Sequence, residues 1–236
     1  MKATPSLIFL RIFNFCLAAT LLLSLQSCSH QEDDGSVSLN IPSSVCQRLA
    51  ARDIGDPTDT MTIFVTGDYE AKKTISFPED NFPAAGIKVE FGGIRAGSKV
   101  RVVCLQNIGS DYAPESCMIG VSDEVTILGG QDNAANVLLS NLNISVFADV
   151  FNFTYTMSLN RDLPGCTYKW YFKTTEEPGY CSSEDKREVT LTTSTNVCDF
   201  TDYVTNDSGF SYMTSTHLCT IYCNGTKIIT LKPLIS

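Results

Sequence analysis

Apolar and polar side chains alternate with a period of two over most of the chain beyond residue 37. Short runs of this kind are separated by glycine, proline and asparagine, and they occur at residues 61–65, 87–91, 100–104, 125–127 and 137–139. Such alternation places one face of a β-strand against a core and leaves the other face polar. Several short strands at this spacing predict an antiparallel β-sandwich over residues 39–139.

The pattern restarts near residue 140 and predicts a second sandwich over residues 142–236. One face of a long strand carries Phe151, Phe153, Tyr155, Met157 and Leu159, and one face of the next strand carries Cys166, Tyr168, Trp170 and Phe172. Close to the end, Asn224-Gly225 separates two strand-like runs and is the preferred pair for a type I′ hairpin. The fold class is therefore all-β, with two tandem antiparallel β-sandwiches that are expected to fold separately.

The first 28 residues have the parts of an export signal. Lys2 and Arg11 precede an apolar run at 12–25, which is too short for a bilayer that needs roughly 20 apolar residues. The run ends in Leu25-Gln26-Ser27-Cys28, which resembles the lipobox of bacterial lipoproteins. That resemblance implies removal of residues 1–27 and lipidation of Cys28, and hence a firm membrane anchor.

Residues 28–38 are predicted to form a disordered acidic tether between the lipid and the first sandwich. The chain has a formal net charge of −9, and the signal contributes only cations to that total. A mature chain this acidic does not suggest nucleic acid as a partner.

Three segments resemble a module of bacterial envelope lipoproteins of the spirochaete type. They are FVTGDY at 64–69, VEFGGIRAGSKV at 89–100, and the stretch 125–139 from VTI to VLL. The resemblance implies a prealbumin-like sandwich of the carboxypeptidase-regulatory type, without catalytic residues. The runs YKWY at 168–171 and NGTK at 224–227 are similar to C-terminal Ig-like modules of the same lipoproteins. The Ig disulfide itself is absent, because no cysteine lies in the strand of Tyr155.

Ten cysteines are many for this length. Cys16 leaves with the signal and Cys28 is the lipid site, so the others suggest disulfides in an oxidising compartment. An Ig-like sheet places Cys166 opposite Cys223 and Trp170 opposite Cys219. The bridges expected on these grounds, with Cys46 and Cys219 left as thiols, are Cys104–Cys117, Cys166–Cys223 and Cys181–Cys198.

No sequence motif for catalysis stands out. His30 lies in the tether, and His217 is expected to be a half-exposed strand residue rather than a base. Trp170 is expected in the core, which leaves Tyr171 on the opposite face as the better ligand-facing ring. A calcium site at Asp53, Asp56 and Asp59 stays open as a weak alternative. The chain is accordingly predicted to be no enzyme and to need no cofactor or metal.

These features predict a lipid-anchored protein of the bacterial outer membrane or cell envelope. Its expected role is non-enzymatic binding or adhesion to an unknown protein or glycan ligand. The alternative is a fimbrillin-like structural subunit that assembles by strand exchange. Sequons at Asn143, Asn152, Asn206 and Asn224 leave a secreted eukaryotic glycoprotein as a minor alternative, against which the Cys28 motif weighs.

Overall fold

The computed structural model describes seven stretches of the chain, which are residues 34–42, 59–77, 86–107, 114–149, 154–174, 188–204 and 215–233. The predicted signal, the lipobox with Cys28, and most of the tether lie outside these residues. So do Cys46, Cys181 and the acidic positions Asp53 and Asp56.

The described residues form fifteen strands and one helical turn. The strands of the first half are β1 (Gly35–Ile41), β2 (Asp59–Gly67), β3 (Ala71–Phe77), β4 (Ile87–Ile94), β5 (Lys99–Asn107), β6 (Ser116–Val121), β7 (Val125–Thr126) and β8 (Asp132–Ala135). The remaining elements are β9 (Ser140–Asp149), β10 (Thr154–Leu159), β11 (Cys166–Thr174), β12 (Glu188–Thr193), β13 (Val197–Asp199), α1 (Thr201–Val204), β14 (Ser215–Cys223) and β15 (Thr226–Leu231).

The strands assemble into three sheets. A long central sheet has the order β13-β10-β9-β6-β5-β2-β3, with β7 paired to β5. A small sheet has the order β4-β1-β8, and a third has the order β12-β11-β14-β15. The all-β, antiparallel, sandwich-like architecture predicted from the alternation is confirmed. One pairing departs from it, because β1 and β8 run parallel.

The central sheet is buried on both faces along β2 and β5. Met61, Ile63 and Val65 point into a core shared with the small sheet, and their neighbour Phe64 points into a second core shared with the third sheet. Strands buried on both faces have nearly continuous apolar sequences. This explains why residues 61–66 are all buried although threonines interrupt the run.

The small sheet begins earlier than the sequence predicted. Strand β1 starts at Gly35, inside the segment assigned to the solvated tether, and Val37 is fully buried. The reason is the alternation of Val37, Leu39 and Ile41, which already supplies one apolar face. Burial of that face against the central sheet outweighs the polar composition around it.

The predicted boundary between residues 139 and 142 falls within one sheet. β9 pairs with β6 in the register Cys117↔Leu142, so hydrogen bonds join the two halves of the chain. The second core also draws on both halves, since Val103 and Leu105 pack in the same cluster as Trp170. The structure therefore gives the two segments a common sheet and a common core.

The predicted hairpin at residues 224 and 225 is confirmed, and its tip rests on β2. Asn224 and Gly225 have φ angles of 47° and 85°, and positive values at both positions define a type I′ turn. The Asn224 side-chain amide donates to the Thr66 carbonyl at 3.2 Å. Thr226 Oγ1 donates to the Glu70 carboxylate at 2.8 Å. These contacts hold the third sheet against the end of β2.

Gln106 is a polar residue buried in the first core, which is the core that the central sheet shares with the small sheet. It lies on β5, opposite Met61 of β2, and is 1 % exposed. Its amide nitrogen and oxygen have no hydrogen-bond partner within the part of the chain that the structure describes. A buried polar group in this state costs free energy, since water solvates it when the chain unfolds.

We predict that residues 142–236 expressed alone lack a cooperative thermal unfolding transition. The isolated segment loses β6 as the partner of β9 and exposes Leu142 and Ile144, which are otherwise buried. Calorimetry and circular dichroism would measure this, with residues 34–236 as the control that retains the transition. A sharp transition with a β-type spectrum in the isolated half would contradict the expectation.

We further predict that Gln106→Met raises the free energy of unfolding by about 1–3 kcal/mol, because it removes the unsatisfied amide at similar volume. Denaturant titration measures the change. Gln106→Glu is the matched control, and it should lower the stability at neutral pH because it buries a carboxylate. The expectation fails if Gln106→Met destabilises the protein, which would mean that the amide is satisfied in solution.

Candidate binding face

One face of the central sheet is left uncovered along β9, β10 and β13. We call it the open face, and its side chains are those of Ser116, Asn141, Asn143, Ser145, Phe147, Asp149, Thr154, Thr156, Ser158, Val197 and Asp199. All of them are exposed or half-buried. Hydroxyl and amide groups dominate the set, and its ionisable members are Asp149, which is opposite Thr154, and Asp199.

The open face continues the face that the small sheet covers. On β5, Val102 and Cys104 point to that face. The strand registers show that Met118 of β6 and Asn141 of β9 lie on the same side of the sheet. The segment 136–139 then crosses over β6. A Cβ atom on Gly120 would lie 2.6 Å from the Leu138 carbonyl oxygen, so only glycine permits this approach. Beyond this crossing nothing in the described structure covers the sheet.

Two apolar side chains stand out from this polar face. Phe147 is 59 % exposed and Val197 is 45 % exposed. They lie on either side of β10, where Thr156 is opposite Phe147 and Ser158 is opposite Val197. An exposed aromatic ring amid hydrogen-bonding groups offers both stacking area and polar recognition, as in many binding surfaces.

Asp199 supplies little reactivity to the open face. Its carboxylate accepts the backbone N–H of Thr201 at 2.8 Å. Hydrogen bonds from the Thr201 side chain and backbone lower the pKa of Asp199. Ser145 and Ser158 satisfy one another at 3.0 Å between their hydroxyl oxygens. The arrangement suits binding rather than proton transfer.

A groove of about 370 Å³ lies on the other side of the segment 136–139. The end of β1 and residues 134–138 line it, and its polar groups come from Ser38, Asn40 and Asn136. No lining residue is charged. Leu138, at 83 % exposed, stands on the ridge between this groove and the open face.

His217 differs from its prediction. It was expected to be half exposed, yet it is 1 % exposed and bonds through Nε2 to the hydroxyl of Tyr155. The rings of Phe172 and Phe200 surround Tyr155. The strand register explains the burial, because His217 is opposite Phe172 and shares its inward face. A histidine held in an aromatic core in this way has a structural position.

Trp170 lies in the core as predicted. It is fully buried, and its indole N–H donates to Thr193 Oγ1 at 2.8 Å. Tyr171 is half-buried on the opposite face of β11. There its hydroxyl bonds the Glu188 carboxylate, which also pairs with Lys173 at 3.4 Å. That surface is charged and distinct from the open face.

The predicted Cys104–Cys117 bridge is wrong. Cys104 points into the first core and Cys117 into the second, on opposite faces of the central sheet. The register also separates them, because Cys104 is opposite Gly120. The two cysteines were expected to be close because they lie at neighbouring strand ends. Side chains alternate between the two faces along a strand, however, and this alternation decides which face each sulfur occupies. Cys198 is a buried thiol on β13, and its proposed partner Cys181 lies outside the described residues.

The register predicted for Cys166 and Cys223 is confirmed. The two residues are directly opposite each other in β11 and β14, and Trp170 is opposite Cys219 in the same pair of strands. All four side chains lie in the second core. The structure describes both cysteines as thiols. The bridge between them stays a prediction.

The described residues contain no group of three His, Cys, Asp or Glu side chains that could hold a metal ion. Among these same residues, no helix is long and apolar enough to cross a membrane. Comparison with protein-family models, with curated proteins and with solved structures gave no significant match.

Sequence reasoning missed the open face. Residues 141–147 read N-L-N-I-S-V-F, in which Leu142, Ile144 and Val146 alternate with polar residues until Phe147. Only Leu142 and Ile144 of this run are buried. The signal in the sequence is Phe147, an aromatic residue on the polar side of its strand.

Proposed function

We propose that this protein is a lipid-anchored component of the bacterial cell envelope that acts as a non-enzymatic binding or adhesion module. The Leu25–Cys28 motif supports the anchor, and the acidic tether would hold the folded part away from the membrane. The open face is the proposed ligand-binding surface, and its ligand is a protein or a glycan.

The observation that carries this proposal is Phe147, exposed on a sheet face rich in hydroxyl and amide groups. Exposed aromatic rings are enriched where proteins bind partners. A face rich in hydroxyl and amide groups favours ligands that form many hydrogen bonds. An aromatic ring beside such groups suits sugar rings and peptide surfaces alike.

The alternative of a fimbrillin-like subunit finds less support. Strand exchange needs a terminal strand that can leave its own sheet. β15 is instead hydrogen-bonded to β14 in a tight hairpin, and Leu231 at its end is fully buried. The backbone N–H of Lys232 also donates to the Pro114 carbonyl at 3.0 Å, which ties the end of the strand to the central sheet.

We predict that Cys28→Ala yields a protein that partitions into the aqueous phase in detergent phase separation. The thiol is the proposed site of lipid attachment, and firm anchoring requires acyl chains. Cys46→Ala is the matched control and should partition with detergent as the parent does. Retention of the Cys28→Ala variant in the detergent phase would contradict the anchor.

We predict that Phe147→Ser lowers the affinity of the protein for its ligand by about tenfold or more, a loss of about 1.4 kcal/mol. Arrays of defined glycans and of purified extracellular proteins would identify the ligand for the parent, and biolayer interferometry would measure the variants. Leu128→Ser is the matched control, since Leu128 is 55 % exposed but lies off the open face. Equal losses in both variants would remove the open face as the binding surface.

A further inference from the structure

Cys166 and Cys223 are the one pair of described cysteines whose thiols contact each other. They are directly opposed on adjacent antiparallel strands, and the Cys166 thiol hydrogen-bonds the Cys223 sulfur. Opposed residues in such strands have Cβ atoms about 4.5–5.5 Å apart, and a disulfide needs about 3.5–4.5 Å. A small approach of the two strands would therefore allow a bond.

The surroundings of the two sulfurs are unequal. Cys223 accepts hydrogen bonds from Cys166 and from Thr66 Oγ1, the latter at 3.4 Å. The charged side chain that faces the pair is Arg101 of β5, which rests against Gly165 beside Cys166. The phenol of Tyr168 lies near Cys166 in the same core. Donors and a cation thus converge on Cys223.

These contacts set which sulfur is the nucleophile. The hydrogen bond from Cys166, aided by Thr66 and Arg101, lowers the pKa of Cys223 against the effect of burial. The same hydrogen bond, together with burial, raises the pKa of Cys166. Burial raises the pKa of Cys104 and of Cys117 to about 12 and that of Cys198 to about 11. Among these residues Cys223 is therefore the one that most readily forms a thiolate.

The burial of both sulfurs limits the size of an oxidant that can reach them. Cys223 is fully buried and Cys166 is 5 % exposed. Each, however, sits next to an exposed turn, at Pro164–Gly165 for Cys166 and at Asn224–Gly225 for Cys223. Displacement of a turn would admit a molecule close to water in size, whereas a bulky disulfide would need the strands to separate.

We propose that Cys223 and Cys166 form a reactive dithiol that reduces a small hydroperoxide, with Cys223 as the attacking sulfur and Cys166 as the resolving sulfur. This site is separate from the open face and adds a reaction to the proposed binding role.

The reaction balances with one hydrogen peroxide. The Cys223 thiolate attacks one peroxide oxygen, the O–O bond breaks, and hydroxide leaves while the sulfur is oxidised to a sulfenic acid. Hydroxide takes up the proton that Cys223 had released and becomes water. The Cys166 sulfur then attacks the Cys223 sulfur as its own proton leaves, and the S–O bond breaks to release a second water. Two thiols and one peroxide yield one disulfide and two waters.

The test uses the reduced full-length protein with hydrogen peroxide, dimedone as the sulfenic acid trap, and peptide mass mapping. The parent should form the Cys166–Cys223 disulfide. Cys166→Ser should accumulate a dimedone adduct on Cys223, and Cys223→Ser should give no adduct on Cys166. Cys219→Ser is the matched control, and it should close the bridge at the parent's rate because Cys219 lies opposite Trp170 instead.

Two further measurements keep the proposal open to refutation if a serine variant fails to fold. In the parent, the rate of bridge formation should rise with pH through a midpoint below that of an ordinary thiol, because the pKa of Cys223 is lowered. Thr66→Val should slow the reaction several-fold at pH 7 and match the parent at pH 9, because Thr66 positions the thiolate and takes no part in bond making. No bridge in the folded parent, an adduct on Cys166, or faster closure by oxidised glutathione than by equal peroxide would each overturn the proposal.

Discussion

Burial of β2 and β5 on both faces is the constraint on which the rest of this structure depends. Each strand must present apolar side chains in two directions, so Met61 and Phe64 serve different cores. The small sheet and the third sheet then have fixed positions, one on each side of the central sheet. Removing either layer would expose one apolar face of the same strands, so the layers stabilise one another through the strands that they share.

This arrangement also determines where the open face lies. The small sheet covers the central sheet over β2, β3 and β5, and the segment 136–139 covers β6. The strands β9, β10 and β13 extend beyond this cover while the third sheet protects their opposite face, where Tyr155 and Met157 are buried. A half-covered sheet needs polar residues on its free face, which explains the serines, threonines and asparagines found there. Phe147 and Val197 break that rule, and this break is the reason why the open face is the surface proposed for ligand binding.

The sequence allowed prediction of features that depend on neighbours along the chain or on a simple register. Alternation placed Tyr168, Trp170 and Phe172 on one buried face, and the Asn-Gly pair identified the hairpin between β14 and β15. The expected pairing of β11 with β14 set Cys166 opposite Cys223. Features that depend on layer stacking were not predictable in this way. His217 looked half exposed because its strand is polar, and Cys104 looked close to Cys117 because their strands are consecutive. The error at Cys104 and Cys117 arises because the central sheet has a core on each face. The error at His217 arises because its strand turns it to the same inward face as Phe172.

The open face was missed for a related physical reason. A strand's sequence tells which residues share a side, but not whether another layer covers that side. The polar pattern of Asn141, Asn143 and Ser145 would be the same whether a loop or solvent covered this side of the strand. The parallel pairing of β1 with β8 belongs to the same class, because a parallel pair joins distant segments and leaves no turn signal.

The hairpin tip links the long-range architecture to the chemistry proposed for Cys223. Asn224 holds a left-handed backbone conformation, and its amide contacts Thr66 through both the carbonyl and the hydroxyl oxygen. The same Thr66 hydroxyl bonds the Cys223 sulfur. Thr66 is fully buried at the end of β2, the strand that both cores share. On the proposed chemistry, a change in charge at Cys223 would act on a residue that joins the third sheet to the central sheet. One hydroxyl group would then couple the oxidation state of the dithiol to the docking of the hairpin.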